Sequence, residues 1–152
     1  MPSFDTKNFG IVSYQPEAVV EFPAGLPGFD QRRQFLALQF PDSAPLIFLQ
    51  SLEDPGLCFI TLPVLVVDQR YRLQVNDEDR RRVGLPVGRA LQIGEDVLCL
   101  TVISLRESGP TANLLAPVVV NLTNRQAVQA VADDAAYSHQ HVLVPEEAPV
   151  CS

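Results

Sequence analysis

The sequence predicts an all-β protein, built as a single antiparallel, β-barrel-like domain with at most one or two short helices. Short apolar runs recur along the 152 residues, and 13 prolines and 8 glycines are spread between them. That spacing is typical of many short strands separated by turns. The runs are not separated by helical stretches, which argues against a parallel α/β sheet. A chain of this length buries enough surface to fold without a metal or a disulfide.

Turn signals divide the chain into predicted strands. The apolar runs at 46–51 and 57–62 flank the sequence EDPG, which is typical of a tight turn. Residues 71–75 alternate between apolar and polar side chains, as a half-buried strand does. The other predicted strands are 9–12, 19–22, 35–39, 64–67, 97–105, 117–122 and 126–131, the last being either a strand, which is favoured, or a helical turn.

Residues 77–85 are the best candidate for a short helix, because acidic residues begin the segment and arginines end it, which suits the helix dipole. We expect residues 1–143 to form the domain and the acidic, proline-containing residues 144–152 to form a disordered tail. The N-terminus does not resemble a signal peptide, and no apolar run approaches the roughly 20 residues of a membrane span. The expected location is the cytoplasm.

The net charge of −7 makes nucleic acid and anionic membranes unfavourable direct partners and suits a basic protein partner, whose association would weaken with salt. Cys58 and Cys99 lie in apolar runs and are expected to be small core residues, and Cys151 falls in the tail. The spacing of the three cysteines indicates neither a zinc site nor a redox motif.

No catalytic constellation is apparent, so the sequence predicts a protein that is not an enzyme and has no cofactor. Only His139 and His141 are present as histidines. Their spacing would place both rings on one face of a strand, yet no neighbouring residue completes a metal-ligand set. We interpret them as solvated side chains and predict no metal site.

Four stretches resemble the FliW family of flagellar assembly factors and occur in the family's order. They are FG at 9–10 with FPAGLPGF at 22–29, LQSLEDP at 49–55 with Phe59 beyond it, TANLLAPVVVN at 111–121, and Arg125 with Gln129. In the last stretch Ala127 stands where the family carries a glycine, which predicts a local difference in the backbone. Together the stretches span nearly the whole chain, from residue 9 to about 143.

The resemblance implies an antiparallel β-barrel-like fold, no enzymatic activity, a monomer and two competing partners in the cytoplasm. One partner is flagellin before its export. The other is CsrA, an RNA-binding translational regulator that FliW antagonises allosterically once flagellin has been exported, so that flagellin mRNA is translated.

For the partner interface we select six residues of the two most distinctive stretches, namely Gln50, Ser51, Glu53, Asp54, Asn113 and Leu114, because they are polar or look exposed. Reversing the charges of Glu53 and Asp54 to lysine is expected to weaken CsrA binding without unfolding the protein. A structural role competes with this one: the glycines and prolines of 23–28 suit a turn, and Asn113 suits a hydrogen bond to its own backbone. Phe29 either points outward as an anchor or folds back as a plug, and the plug is favoured.

Two other classes of function remain open. A small-ligand-binding β-barrel would use the loop at 23–29 as a lid over an apolar cavity. An enzyme would need a cleft that holds His139 or His141 beside a partnered acid.

Overall fold

A computed structural model describes residues 2–26, 28–29, 31–131 and 137–143, and strands dominate it. The prediction of an all-β, antiparallel fold with at most one or two short helices is confirmed, since the described residues form two short α-helices and otherwise mainly antiparallel strands. The tail predicted at 144–152 lies outside the described residues. The strands are β1 (Ser3–Thr6), β2 (Gly10–Ser13), β3 (Val19–Glu21), β4 (Gln34–Leu38), β5 (Ile47–Ser51), β6 (Cys58–Pro63), β7 (Val97–Arg106), β8 (Gly109–Ala112), β9 (Val118–Asn121), β10 (Ala127–Gln129) and β11 (His141–Val142).

The main sheet follows the order β10-β9-β7-β6-β5-β4-β3, while β1 and β2 form a separate hairpin. Every ladder between these strands is antiparallel. The two ends of the path meet at one bridge between Glu21 and Gln126, where the Glu21 N–H donates to the Arg125 carbonyl at 3.0 Å. Within the described residues the two ends are joined by this bridge and share no ladder.

Strand β7 is the longest strand and contacts three neighbours in turn. It pairs with β9 from Val97, with β6 around Val102, and with β8 from Ile103. Strand β8 then pairs with β11 at the far edge. The ten residues of β7 therefore connect the main sheet to the C-terminal strand.

Two apolar cores lie on opposite faces of β7 and β9. Val97, Cys99 and Val119 belong to the first core, whereas Leu100 and Val118 belong to the second. Because side chains alternate along a strand, burial on both faces requires a continuous apolar run, as both strands have. The first core also contains residues of the connection between β6 and β7, and the second contains Phe22 and Phe35.

The predicted strand at 64–67 is wrong, because Val64–Val67 forms a single turn of α-helix, α1. The β-branched composition favoured a strand. The turn closes where the Asp68 N–H donates to the Val64 carbonyl at 2.9 Å, and Val64 is buried in the first core. Burial of Val64 and the change of direction after β6 therefore outweigh the local propensity.

The predicted strand at 71–75 is also wrong as regards pairing, although its burial pattern is as expected. Tyr71 and Val75 are buried and Arg72 is exposed, yet the segment shares no ladder with another described segment. The Tyr71 hydroxyl donates to the Leu114 carbonyl at 2.6 Å, and the Tyr137 hydroxyl accepts from the Arg72 N–H at 2.8 Å. Burial raises the pKa of Tyr71, which keeps its hydroxyl protonated as a donor. The segment covers the sheet through side chains instead of extending it.

The predicted helix is present as α2 (Asp77–Arg82), and the Asn76 side chain caps it by accepting from the Asp79 N–H at 2.7 Å. The strand favoured at 126–131 is present as β10. Strands β1, β8 and β11 were not predicted, because they are short and contain few apolar residues.

Cys99 is buried and Cys58 is partly buried, in agreement with the expected core role. Burial raises the pKa of the Cys58 thiol to about 11 and that of Cys99 to about 12. Both thiols are therefore protonated and unreactive near neutral pH. Among the described helices, none has the length and apolar character needed to cross a membrane.

Candidate functional site

The turn that follows β5 is held together by its own polar side chains. The Ser51 hydroxyl accepts from the N–H groups of Glu53 and Asp54 at 3.0 and 2.9 Å. The Asp54 carboxylate accepts in turn from the Gly56 N–H at 3.0 Å. These are the local side chain-to-backbone bonds that Ser and Asp make in turns. The sequence LQSLEDP therefore builds a turn whose backbone donors are satisfied.

The acidic side chains of this turn also bind the neighbouring strand. Oε1 of Glu53 accepts from the N–H groups of Arg33 and Gln34, at 2.7 and 3.2 Å, where β4 begins. Oδ2 of Asp54 lies 3.9 Å from Nε of Arg32. Glu53 is exposed and Asp54 is partly exposed, so both carboxylates reach the surface while they fix the turn to β4.

The exposure that we expected of Gln50, Ser51 and Leu114 is wrong. Gln50 and Ser51 are fully buried, and Leu114 is 2% exposed within the first core. Nε2 of Gln50 donates to the carbonyls of Ser51, Asp54 and Pro55 at 3.1, 3.4 and 3.2 Å. Polar character indicated a surface position for Gln50 and Ser51. The Ser51 hydroxyl and Nε2 of Gln50 are bonded inside the turn, whereas Oε1 of Gln50 is buried with no partner among the described residues. Contact with a partner at Glu53, Asp54 and Asn113 stays a prediction.

Asn113 is partly buried and shapes the connection between β8 and β9. Its Oδ1 accepts from the Ala116 N–H at 3.0 Å, so the predicted bond to its own backbone is confirmed. Its backbone carbonyl accepts from the Thr101 hydroxyl at 2.8 Å. Asn113 is thus fixed against β7 as well as within its own loop.

All four stretches that carry the family resemblance meet at one cavity of about 190 Å³. The first stretch contributes Leu26 and Phe29, and the second contributes Leu49 with Phe59. The third stretch contributes Asn113 and Val118, and the fourth contributes Gln129. The full lining is Leu26, Phe29, Leu49, Phe59, Val102, Ser104, Arg106, Asn113, Val118, Gln129 and His139.

Phe29 folds back over this cavity. Its ring packs edge-on against Phe59 with a centroid distance of 5.5 Å, while 39% of the residue stays exposed. The turn before it needs a positive φ at Gly25 and Gly28, of 73° and 83°, which explains those glycines. Pro27 lies outside the described residues. The favoured interpretation of Phe29 as a plug agrees with its contact with Phe59.

The two histidines do not share a strand face. His139 lies in a turn at the cavity rim, whereas His141 lies in β11 and pairs with Ala112. Across the described ranges, no three His, Cys, Asp or Glu side chains are grouped so that they could hold a metal ion.

Among the residues that line the cavity, only Asn113 had been selected from the sequence for the partner interface. Arg106 belongs to none of the resembling stretches. Gln129 belongs to the fourth stretch, where its Nε2 donates to the Ala116 carbonyl at 2.9 Å. The available signal was the resemblance itself, because residues held in common by distant stretches often meet at one place in the fold.

Comparison with known proteins gives consistent matches over nearly the whole chain. Residues 3–143 match the family model described as FliW protein. The flagellar assembly factor FliW of Heliobacterium modesticaldum is 31% identical over 143 residues, which cover 94% of this chain and 91% of that protein. The corresponding protein of Bacillus subtilis is 30% identical over 142 residues, covering 91% and 94%. A crystal structure of the flagellar assembly factor FliW superimposes with a TM-score of 0.81 at 28% identity, covering 97% of this chain and all of that one.

Proposed function

This chain belongs to the FliW family of flagellar assembly factors, and from that premise we propose that it is a non-enzymatic, partner-switching regulator of flagellin synthesis. It binds flagellin in the cytoplasm. When flagellin has been exported, it binds CsrA and antagonises it allosterically, so that flagellin mRNA is translated. The observation that carries the proposal is the family match over residues 3–143.

The charge of the protein supports a basic partner such as an RNA-binding regulator. The net charge is −7, and Glu53 and Asp54 present two carboxylates on a turn whose backbone is fixed. A fixed charge loses less conformational entropy on binding than a mobile one. Where the two partners compete for the protein, mass action decides between them, since the shared protein fills the more stable complex first.

Calorimetric titration with the flagellin and the CsrA encoded in the same genome tests this function. We expect the protein to bind each of them, and flagellin to displace CsrA from the preformed complex. Absence of binding to both partners would overturn the proposal. Simultaneous binding of flagellin and CsrA, without displacement, would overturn the proposal that the protein switches between these partners.

Neutralising the acidic turn is expected to weaken CsrA binding about three- to tenfold, since each surface ion pair contributes up to about 1 kcal/mol. Glu53→Gln combined with Asp54→Asn is the sharpest variant, because each amide keeps an oxygen that can accept the backbone N–H bonds of the turn. Lysine at either position would remove those acceptors. The measurement is CsrA affinity at two salt concentrations, and the salt dependence should decrease with the affinity.

Glu17→Gln combined with Asp42→Asn is the matched control, because both acids are exposed and lie in separate 3-10 turns. The control removes the same net charge. If it weakens CsrA binding as much as the turn variant does, the effect comes from overall charge and the turn is not in the interface.

A further inference from the structure

We propose that the cavity at which the four stretches meet is a binding site for a small organic carboxylic acid with an apolar body. This proposal concerns a ligand separate from flagellin and CsrA, and it stands whether or not the chain binds them. It is carried by the size of the cavity, by the division of its lining into an apolar floor and a polar rim, and by the charge of that rim.

The floor suits a ring or a short alkyl chain. Five apolar residues from four strands and the 22–29 turn line it, namely Leu26, Leu49, Phe59, Val102 and Val118, and Phe29 packs over them. The volume is about 190 Å³. An apolar cavity of about 150 Å³ in another protein accommodates benzene, so this one has room for a phenyl ring or a group of similar size. Burial of that group is favourable in proportion to the apolar area removed from water.

The rim suits an anion, in contrast to the rest of the protein. The chain carries −7 overall, yet the described lining contains Arg106 and His139 and no aspartate or glutamate. In the part of the chain that the structure describes, Arg106 makes no ion pair and no side-chain hydrogen bond. A guanidinium is a forked donor that matches a carboxylate. Its charge is therefore available to a bound ligand.

Neutral polar groups complete the rim. Oδ1 of Asn113 is occupied by the Ala116 N–H, and Nε2 of Gln129 by the Ala116 carbonyl. These bonds hold both amides in place and leave Nδ2 of Asn113 with no acceptor among the described residues. A carboxylate at the rim would receive donors from a rigid loop as well as from Arg106, which favours an acid over an uncharged analogue.

The first test is an NMR titration of the full-length, ¹⁵N-labelled protein with 3-phenylpropanoate and with the neutral 3-phenylpropan-1-ol. We expect saturable shifts of the backbone amides of Phe29, Asn113 and Gln129, with a dissociation constant on the order of 1 mM for the acid. The acid should bind about fivefold more tightly than the alcohol, which is the contribution of one exposed ion pair. Equal affinities, or shifts that map to another part of the surface, overturn the proposal.

Two substitutions test separately the charge of Arg106 and the apolar floor of the cavity. Arg106→Gln should reduce the affinity for the acid to that for the alcohol and leave the alcohol unchanged. Arg81→Gln, which removes an exposed cation on α2 away from the cavity, should alter neither. Val102→Phe should fill the floor and abolish binding of both probes. Where Val102→Phe lowers the melting temperature, Ser104→Phe at an exposed rim position blocks the same space.

Each result supports or overturns the proposal. Retention of the acid's advantage in Arg106→Gln would show that Arg106 does not recognise the carboxylate. Undiminished binding to a folded, cavity-filled variant would place the site elsewhere. No saturable shift at about tenfold the expected dissociation constant would show that the cavity binds no acid of this class.

Discussion

Phe35→Ala is expected to lower the free energy of unfolding by about 3–5 kcal/mol. Phe35 is fully buried in β4 and belongs to the second core. Its ring lies 5.4 Å from that of Phe22, edge to face, and 5.8 Å from that of Phe59. Removal of the ring loses its burial and both aromatic contacts and leaves a cavity behind. A domain of this size has a total stability of roughly 5–15 kcal/mol, so one substitution removes a large share of it.

Urea denaturation followed by circular dichroism measures this loss, because the chain has no tryptophan to report by fluorescence. Leu105→Ala is the matched control, since Leu105 is 74% exposed and its truncation should change the stability by less than about 0.5 kcal/mol. A loss below about 1 kcal/mol for Phe35→Ala would mean that the second core is packed differently from the structure.

The second large effect is expected for Asn121→Asp, at about 3 kcal/mol of destabilisation near neutral pH. Asn121 is 4% exposed. Its Nδ2 donates to the Val83 carbonyl at 2.9 Å, and its Oδ1 accepts from the Thr123 N–H at 2.9 Å. The substitution keeps the shape and the second bond, but it places a buried carboxylate oxygen against the Val83 carbonyl. The carboxylate oxygen and the Val83 carbonyl oxygen then face each other with no hydrogen between them.

The cost of Asn121→Asp should depend on pH. Burial and the facing carbonyl disfavour the ionised form, so the folded-state pKa of the new carboxyl should rise above its unfolded value of about 3.9. The penalty is then absent below the unfolded pKa, where the carboxyl is protonated in both states and can donate to Val83. It grows as the pH rises from there to the folded pKa and is constant above it.

Asn124→Asp provides the comparison, because Asn124 is exposed and its Nδ2 donates to the same carbonyl at 3.1 Å. Water can solvate a carboxylate there, so the loss should be smaller and should depend less on pH. The measurement is the free energy of unfolding of both variants at about pH 4 and about pH 7. Equal losses for the two variants at both pH values would contradict a role for the burial of Asn121.

Most strands were predictable because each apolar run ends at a turn signal. The two errors arise where tertiary packing replaces a ladder. At 71–75 the alternation correctly predicts which side chains are buried. Alternate burial does not require a neighbouring strand, however. The segment is held instead by the hydrogen bond from the Tyr71 hydroxyl to the Leu114 carbonyl and by the bond from the Arg72 N–H to the Tyr137 hydroxyl. At Val64–Val67 the β propensity is genuine, yet the chain must turn after β6 to bury Val64.

The candidate site was less predictable, because polarity does not reveal where a side chain points. Gln50 and Ser51 are polar and fully buried, since their partners are backbone groups of the same turn. Arg106 was missed because it lies just beyond the predicted strand at 97–105 and outside the four resembling stretches. Only the fold brings it to the same rim as Asn113 and Gln129.

Strands β7 and β9 contribute side chains to both cores, so thermal unfolding of one core affects the other. If one core unfolds, β7 and β9 lose the contacts on one of their faces and are no longer held in position. The side chains on their opposite face then lose their packing in the other core. The two should therefore be lost together, as one cooperative unit, with no half-molten species populated between the native and the unfolded chain.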